Sequence, residues 1–161
     1  MLRRLLFSEF GFRERKLTQL RSWYWRQLFL HMDPTAKIYG RITVYQPQKI
    51  TVGVHSTMNE GIILHGAGTI TIGDHVRIAS RTVINTYSLD YLAPRGSRGH
   101  TQAPVVIKDG VWICSGAIIN PGVTIGEDAV IGPGAIVMRD VPRGGVVAAA
   151  PSRIGNMRDR L

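Results

Sequence analysis

Five histidines offer the side chains most suited to proton chemistry near neutral pH: His31, His55, His65, His75 and His100. An unperturbed imidazole titrates near pH 6.5, so it can take a proton from a hydroxyl or amine and later return it. A histidine metal centre would need ligands brought close together, and no two of these histidines are near one another in sequence. His55 and His75 each follow an aliphatic residue (Val52, Ile72) by three positions, where a tight corner is expected. Histidine tolerates the left-handed backbone of such a corner. These two are therefore read as corner residues, and no metal is expected. Cys114 is the sole cysteine, so no disulfide can form within the chain; a packed thiol in a reducing cytoplasm is the reading.

Charge narrows the partners only partly. The chain carries 20 basic and 11 acidic residues, a formal charge of +9. Residues 1–32 hold seven basic side chains (Arg3, Arg4, Arg13, Arg15, Lys16, Arg21, Arg26) against Glu9 and Glu14. Anionic lipid, an acidic glycan or the phosphates of a cofactor each suit that bias. Nucleic acid is not expected, because the charge is not interleaved with aromatics along the rest of the chain. No stretch reaches the roughly 20 apolar residues that span a bilayer. The basic N-terminus has its apolar residues broken by charge and lacks a small-residue cleavage site, so no signal peptide is expected.

The frame that must position these residues is a repeat. From Ile107, steps of six give Ile113, Ile119, Ile125, Ile131 and Val137, all β-branched aliphatics. Four residues after each comes Val111, Ala117, Val123, Ala129, Ala135 and Val141. Three after each comes Gly110, Gly116, Gly122, Asp128, Gly134 and Asp140, types that accept positive φ. A hexad is too short to bury its own aliphatic residue. Three hexads closing a triangular coil, with coils stacked as parallel strands about 4.8 Å apart, bury them all. The fold class is all-β, a parallel β-helix. A helix fails because six does not match 3.6 and Gly and Pro recur throughout. With 18 glycines and 7% aromatics, the core is expected to be small and branched aliphatics.

Upstream the pattern continues through Ile38 and Val44, then Val52, Met58, Leu64 and Ile70, and after a two-residue slip through Ile72, Ile78 and Ile84. The last three carry Val76, Thr82 and Ser88 at the fourth following position. Between Ile84 and Ile107 the register breaks, and about residues 86–104 are read as a loop extruded from a corner, where function often sits. Residues 8–31 are read as a helix whose apolar face comprises Phe10, Phe12, Leu17, Leu20, Trp23, Tyr24, Leu28 and Leu30. It would cap the open end of the prism, or rest on a membrane as a basic amphipathic helix. The organisation is thus 1–34 helical segment, 35–155 β-helix, 156–161 tail.

The stretch from Pro104 to Ile154, with VVIKDGVWICSGAIINPGVTIGEDAVIGPGAIVMRDVP and VVAAAPSRI, resembles the hexapeptide-repeat acetyltransferases, among them sugar O-acetyltransferases and serine acetyltransferase. The resemblance covers roughly residues 36–155. It implies a left-handed β-helix, a homotrimer with active sites between neighbouring prisms, and acetyl-CoA lying along the coils as co-substrate. No tightly bound cofactor is implied. Trp112-Ile113-Cys114-Ser115 occupies the segment beside the CoA arm, which assigns Ser115 to the cofactor. Arg139 and Arg153 match basic positions that would meet CoA phosphates by charge-assisted hydrogen bonds. Asn59 falls near an asparagine that holds the acceptor.

For the general base the resemblance offers two histidines. Leu64-His65-Gly66-Ala67-Gly68 is similar to the segment carrying the catalytic histidine of serine acetyltransferases, and His100 resembles the loop histidine of that group. Leu89 stands about where the sugar O-acetyltransferases place theirs. The expected activity is acyl transfer from acetyl-CoA, or another acyl-CoA, to a hydroxyl or amine of a sugar or similar polar acceptor. The setting is cytoplasmic with peripheral membrane contact through the basic N-terminus, and polysaccharide biosynthesis is the expected role. The alternative is a hexapeptide protein without catalysis that acts as a binding or assembly subunit, a reading drawn from Leu89, Pro133 and Ala149-Ala150.

Overall fold

A computed structural model describes residues 2–90 and 92–149, with side chains described from residue 14 onward. Helix α1 (Leu2–Leu28) leads into short strands that wind as a left-handed β-helix with three flat faces. The first coil contains β1 (His31–Met32), β2 (Lys37–Ile38) and β3 (Thr43–Tyr45). The second contains β4 (Ile50–Val52), β5 (Thr57–Met58) and β6 (Ile63–His65), and the third β7 (Ile70–Ile72), β8 (Arg77–Ile78) and β9 (Val83–Asn85). A hairpin of β10 (Tyr87–Leu89) and β11 (His100–Gln102) then leaves the prism. The fourth coil has β12 (Val105–Ile107), β13 (Trp112–Ile113) and β14 (Ile118–Ile119), and the fifth β15 (Thr124–Ile125), β16 (Val130–Ile131) and β17 (Ile136–Val137). A sixth begins with Val141 bridged to Ile125 and ends on β18 (Val146–Val147).

Each face is one strand position repeated. The first stacks β1-β4-β7-β12-β15, the second β2-β5-β8-β13-β16-β18 and the third β3-β6-β9-β14-β17, all in parallel. Register follows the sequence period. Met32, Val52 and Ile72 pair in succession at 20-residue steps, while Ile107 pairs with Ile125 at 18. The two extra residues of the early coils form short 3-10 turns after the third face, Pro47–Lys49 and Gly66–Gly68. The hairpin departs from that same corner one coil later. The slip before Ile72 is thus one instance of a wider third corner.

The interior agrees with the hexad reading. Ile107, Ile113, Ile119, Ile125, Ile131 and Val137 are buried, as are Val111, Ala117, Val123, Ala129, Ala135 and Val141 at the corners. Gly110, Gly116, Gly122, Asp128 and Gly134 have positive φ, and so do His55 (55°) and His75 (56°), which confirms the corner reading of both histidines. Asp140 does not share that conformation; its carboxylate accepts the Thr124 N–H at 2.7 Å. Ser88 also departs from the expected series. It is exposed in the hairpin beside the Thr101 hydroxyl (3.0 Å), because the chain has already left the prism.

The helix needs a correction on two points. It ends at Leu28, and His31–Met32 already pairs with Thr51–Val52, because the first coil must supply an edge for β4. Its expected apolar face is also not the buried one: Leu17, Leu20, Trp23, Tyr24, Leu28 and Leu30 are exposed, and the side chains of Phe10 and Phe12 are outside the described set. Thr18, Ser22, half-buried Trp25 and Phe29 face the prism instead. The reason is that the open end of the β-helix presents unpaired backbone groups. Ser22 Oγ accepts the Ile38 N–H at 3.0 Å, Arg21 Nη1 donates to the Tyr39 carbonyl at 2.8 Å, and Arg26 Nη2 donates to that of Pro34 at 2.9 Å. α1 therefore caps the end with polar side chains. No described helix is long and apolar enough to cross a membrane.

Candidate active site

The wide third corner gathers the two histidines singled out by their motifs. His65 ends β6 and lies between Tyr45 and Asn85 in strand register, one coil on either side. Its ring stacks on Tyr45 with centroids 4.6 Å apart and an angle of 3°. Tyr87, at the base of the hairpin, makes a T-shaped contact with His65 at 5.3 Å between centroids. His100 reaches the same Tyr87 ring from β11 at 5.5 Å. Together with Gln46, Ala67 and Gln102 these residues line a cavity of about 570 Å³. Burial holds the His65 imidazole below the ordinary histidine pKa, which keeps it neutral and able to accept a proton.

Local backbone packing explains the position of His65. Gly66 and Gly68 allow the turn to press against its neighbours: a Cβ on Gly66 would stand 2.8 Å from the Gln46 carbonyl oxygen, and one on Gly68 2.8 Å from those of Thr86 and Ala103. The buried Thr86 hydroxyl donates to the His65 carbonyl and accepts the Gly68 N–H at 2.7 Å. Lys49 Nζ closes the turn on the Ala67 carbonyl at 2.7 Å. The hairpin orders His100 through pairing with Leu89, so this histidine stands directly across from the position at which the resemblance expected one. Asp90 is occupied elsewhere, its carboxylate accepting the Leu92 N–H at 3.2 Å. No group of three or more His, Cys, Asp or Glu suited to a metal occurs among the described residues.

The remaining candidates are distributed along and across the prism. Asn59 and exposed Ser115 lie at the corner between the second and third faces, one strand's length across the third face from the His65 corner. Ser115 shares a cavity of about 500 Å³ with Glu60, Ser80 and Arg81. Arg139 is exposed on the same corner as His65 but in the fifth coil. Three rungs of stacked strands separate them, about 14 Å along the axis. It borders a different cavity of about 520 Å³ with Met138 and Pro142. Arg153 lies outside the described residues. Half-buried Cys114 sits beside Ser115 as a free thiol. Tyr45 and Tyr87 were missed by sequence reasoning; the 20-residue step from Tyr45 to His65 was the signal that placed the first, while the second depends on the hairpin.

Residues 104–139 match the family model described as bacterial transferase hexapeptide (six repeats). Nodulation protein L of Rhizobium meliloti (strain 1021) is 42% identical over 108 residues, which is 65% of this chain; the chain spans 58% of the length of that relative. A hexapeptide-repeat containing acetyltransferase of Vibrio cholerae is 30% identical, with a TM-score of 0.72 over 95% of this chain and 90% of that one. Its complex with acetyl coenzyme A, from the O1 biovar eltor, matches at 31% identity and TM-score 0.67 over 80% and 71% of the two chains. A maltose O-acetyltransferase of Clostridium difficile 630 is 32% identical, covering 76% of this chain and 66% of that one, with a TM-score of 0.66.

Proposed function

Because the chain belongs to the hexapeptide-repeat acetyltransferase family, we propose that it is a CoA-dependent acyltransferase that moves an acetyl group onto a sugar or similar polar acceptor. The observation that carries this reading is the meeting of His65 and His100 on one tyrosine ring in a single cavity. His65 takes the proton from the acceptor hydroxyl or amine as that atom attacks the thioester carbonyl. The tetrahedral intermediate then expels the CoA thiolate, and the imidazolium returns the proton to sulfur. The half-buried, neutral His65 suits the role of base better than exposed His100 on the hairpin.

The partly exposed aromatic side chains of Tyr45 and Tyr87 suit a sugar ring, and a maltose O-acetyltransferase among the similar structures supports that class of acceptor. Acetyl-CoA would lie along the coils, with Ser115, Arg139 and Arg153 toward the cofactor and Asn59 toward the acceptor. Within one chain Asn59 and Ser115 stand a face away from His65. A homotrimer would bring one prism's second corner against the third corner of its neighbour and close the site. Polysaccharide biosynthesis in the cytoplasm is the setting this chemistry fits, and the exposed apolar residues of α1 with its neighbouring cations suit peripheral membrane contact.

Thiol release from acetyl-CoA in the presence of a panel of sugars and amino acids tests the proposal. Turnover is expected with a sugar acceptor, and His65→Ala should lower kcat by about 10²–10⁴-fold. Wild-type rates in both His65→Ala and His100→Ala would remove the histidine mechanism. No turnover together with no CoA binding in calorimetry would favour a non-catalytic assembly subunit instead.

A further inference from the structure

The capped end of the prism holds another cavity, which shares no lining residue with the histidine pocket. It measures about 680 Å³ and lies between α1 and β2, within the range of roughly 300–1,000 Å³ typical of small-molecule sites. Arg26 and Lys37 bring two cations to its walls, and the lining carboxylate of Glu14 lies 4.0 Å from Arg21. Lys37 is exposed and has no carboxylate partner among the described residues. Arg26 uses Nη2 on the Pro34 carbonyl, but its Nε is buried without an acceptor. Arg26 thus spends one of its five guanidinium donors on the Pro34 carbonyl, which leaves hydrogen-bonding capacity at the cavity wall. Trp23 and Tyr39 add flat aromatic surface, 56% and 46% exposed. Rings of that kind stack planar ligands.

We propose that this cavity binds a small ligand that carries a phosphate group beside a planar ring, the chemistry of a nucleoside monophosphate. Arg26 and Lys37 would neutralise the phosphate, and Trp23 or Tyr39 would receive the ring. Acyl transfer at His65 does not use these residues, so the site would act on α1 and the first coil. Occupancy would then stabilise the capped end by mass action.

Titration calorimetry with adenosine 5′-monophosphate tests this, run at saturating CoA so that the proposed cofactor face is already filled. Saturable one-to-one binding is expected, tighter than about 1 mM, together with a rise in Tm. Lys37→Glu and Trp23→Ala alter exposed side chains and should each weaken binding about tenfold or more while circular dichroism shows an unchanged fold. Adenosine alone and inorganic phosphate alone should bind at least about tenfold more weakly than the nucleotide. Absent nucleotide binding, equal binding by both variants, or inorganic phosphate binding as tightly as the nucleotide would each overturn the proposal. So would Lys37-dependent capture on phosphatidylglycerol vesicles without nucleotide binding, which would assign these cations to lipid headgroups.

Discussion

His65 contacts one tyrosine by stacking and another in a T-shaped arrangement, and its partial burial disfavours the charged form. A depressed pKa means that protonation, and loss of the base, begins only at lower pH than for a free imidazole. The acid limb of kcat/KM should therefore fall below about pH 6.5; a limb above that value would argue against His65 as base. Thr86 holds the same site through its hydroxyl, bonded both to the His65 carbonyl and to the Gly68 N–H. Thr86→Val should lower kcat on the order of 10–100-fold with KM for acetyl-CoA unchanged, and Thr86→Ser should restore it. Equal activity in the valine and serine variants would make Thr86 a packing residue only. The motif around His65 was legible in the sequence. Its aromatic partners were not, because Tyr45 is a coil away and Tyr87 belongs to a hairpin that breaks the period.

Among the elements, α1 and the corners do different work with polar groups. Ser22 substitutes for a strand by accepting the Ile38 N–H, while Thr18 accepts the Ser22 hydroxyl proton at 2.8 Å through its backbone carbonyl. Ser22→Ala leaves that buried N–H without an acceptor and should cost about 1–3 kcal/mol in chemical denaturation; an unchanged midpoint would mean that the cap does not depend on this bond. At the first corner, Asp74 accepts the Val54 N–H at 2.6 Å, and Asp109 accepts that of Asp74 at 2.8 Å, so carboxylates tie successive coils. Gly53 makes room for this ladder: a Cβ there would run into the Asp74 carboxylate and stand 2.7 Å from the Gly73 carbonyl oxygen. Gly53→Ala should lower stability by about 1–3 kcal/mol, and a neutral result would show that the corner can relax. The helix was recognisable from its spacing, but its direction of packing was not. Hydrophobicity pointed to Leu17, Leu20 and Tyr24, whereas the unpaired backbone at the prism end selected Thr18 and Ser22.

The whole molecule is one column of aliphatic side chains, from Met32 through Ile72 and Ile107 to Val141, enclosed by three sheets. Each buried residue packs within its own coil and against the coils above and below, so Ile113→Ala in the middle of the column should cost about 2–5 kcal/mol. Denaturation at fixed protein concentration measures it, since association would add to apparent stability. Sedimentation equilibrium tests the trimer that would join the Asn59–Ser115 corner of one prism to the His65 corner of another; a monomer at assay concentration would leave those residues a face apart. The hexad spacing of the sequence alone determined the prism, its buried residues and most of its corner residues, because each coil is a local unit whose period is written in consecutive residues. Only the tertiary structure decided which side of α1 faces the prism and how His65, Tyr87 and His100 meet. Those outcomes depend on unpaired backbone at an open end and on a hairpin folding back across coils, neither of which has a period to read.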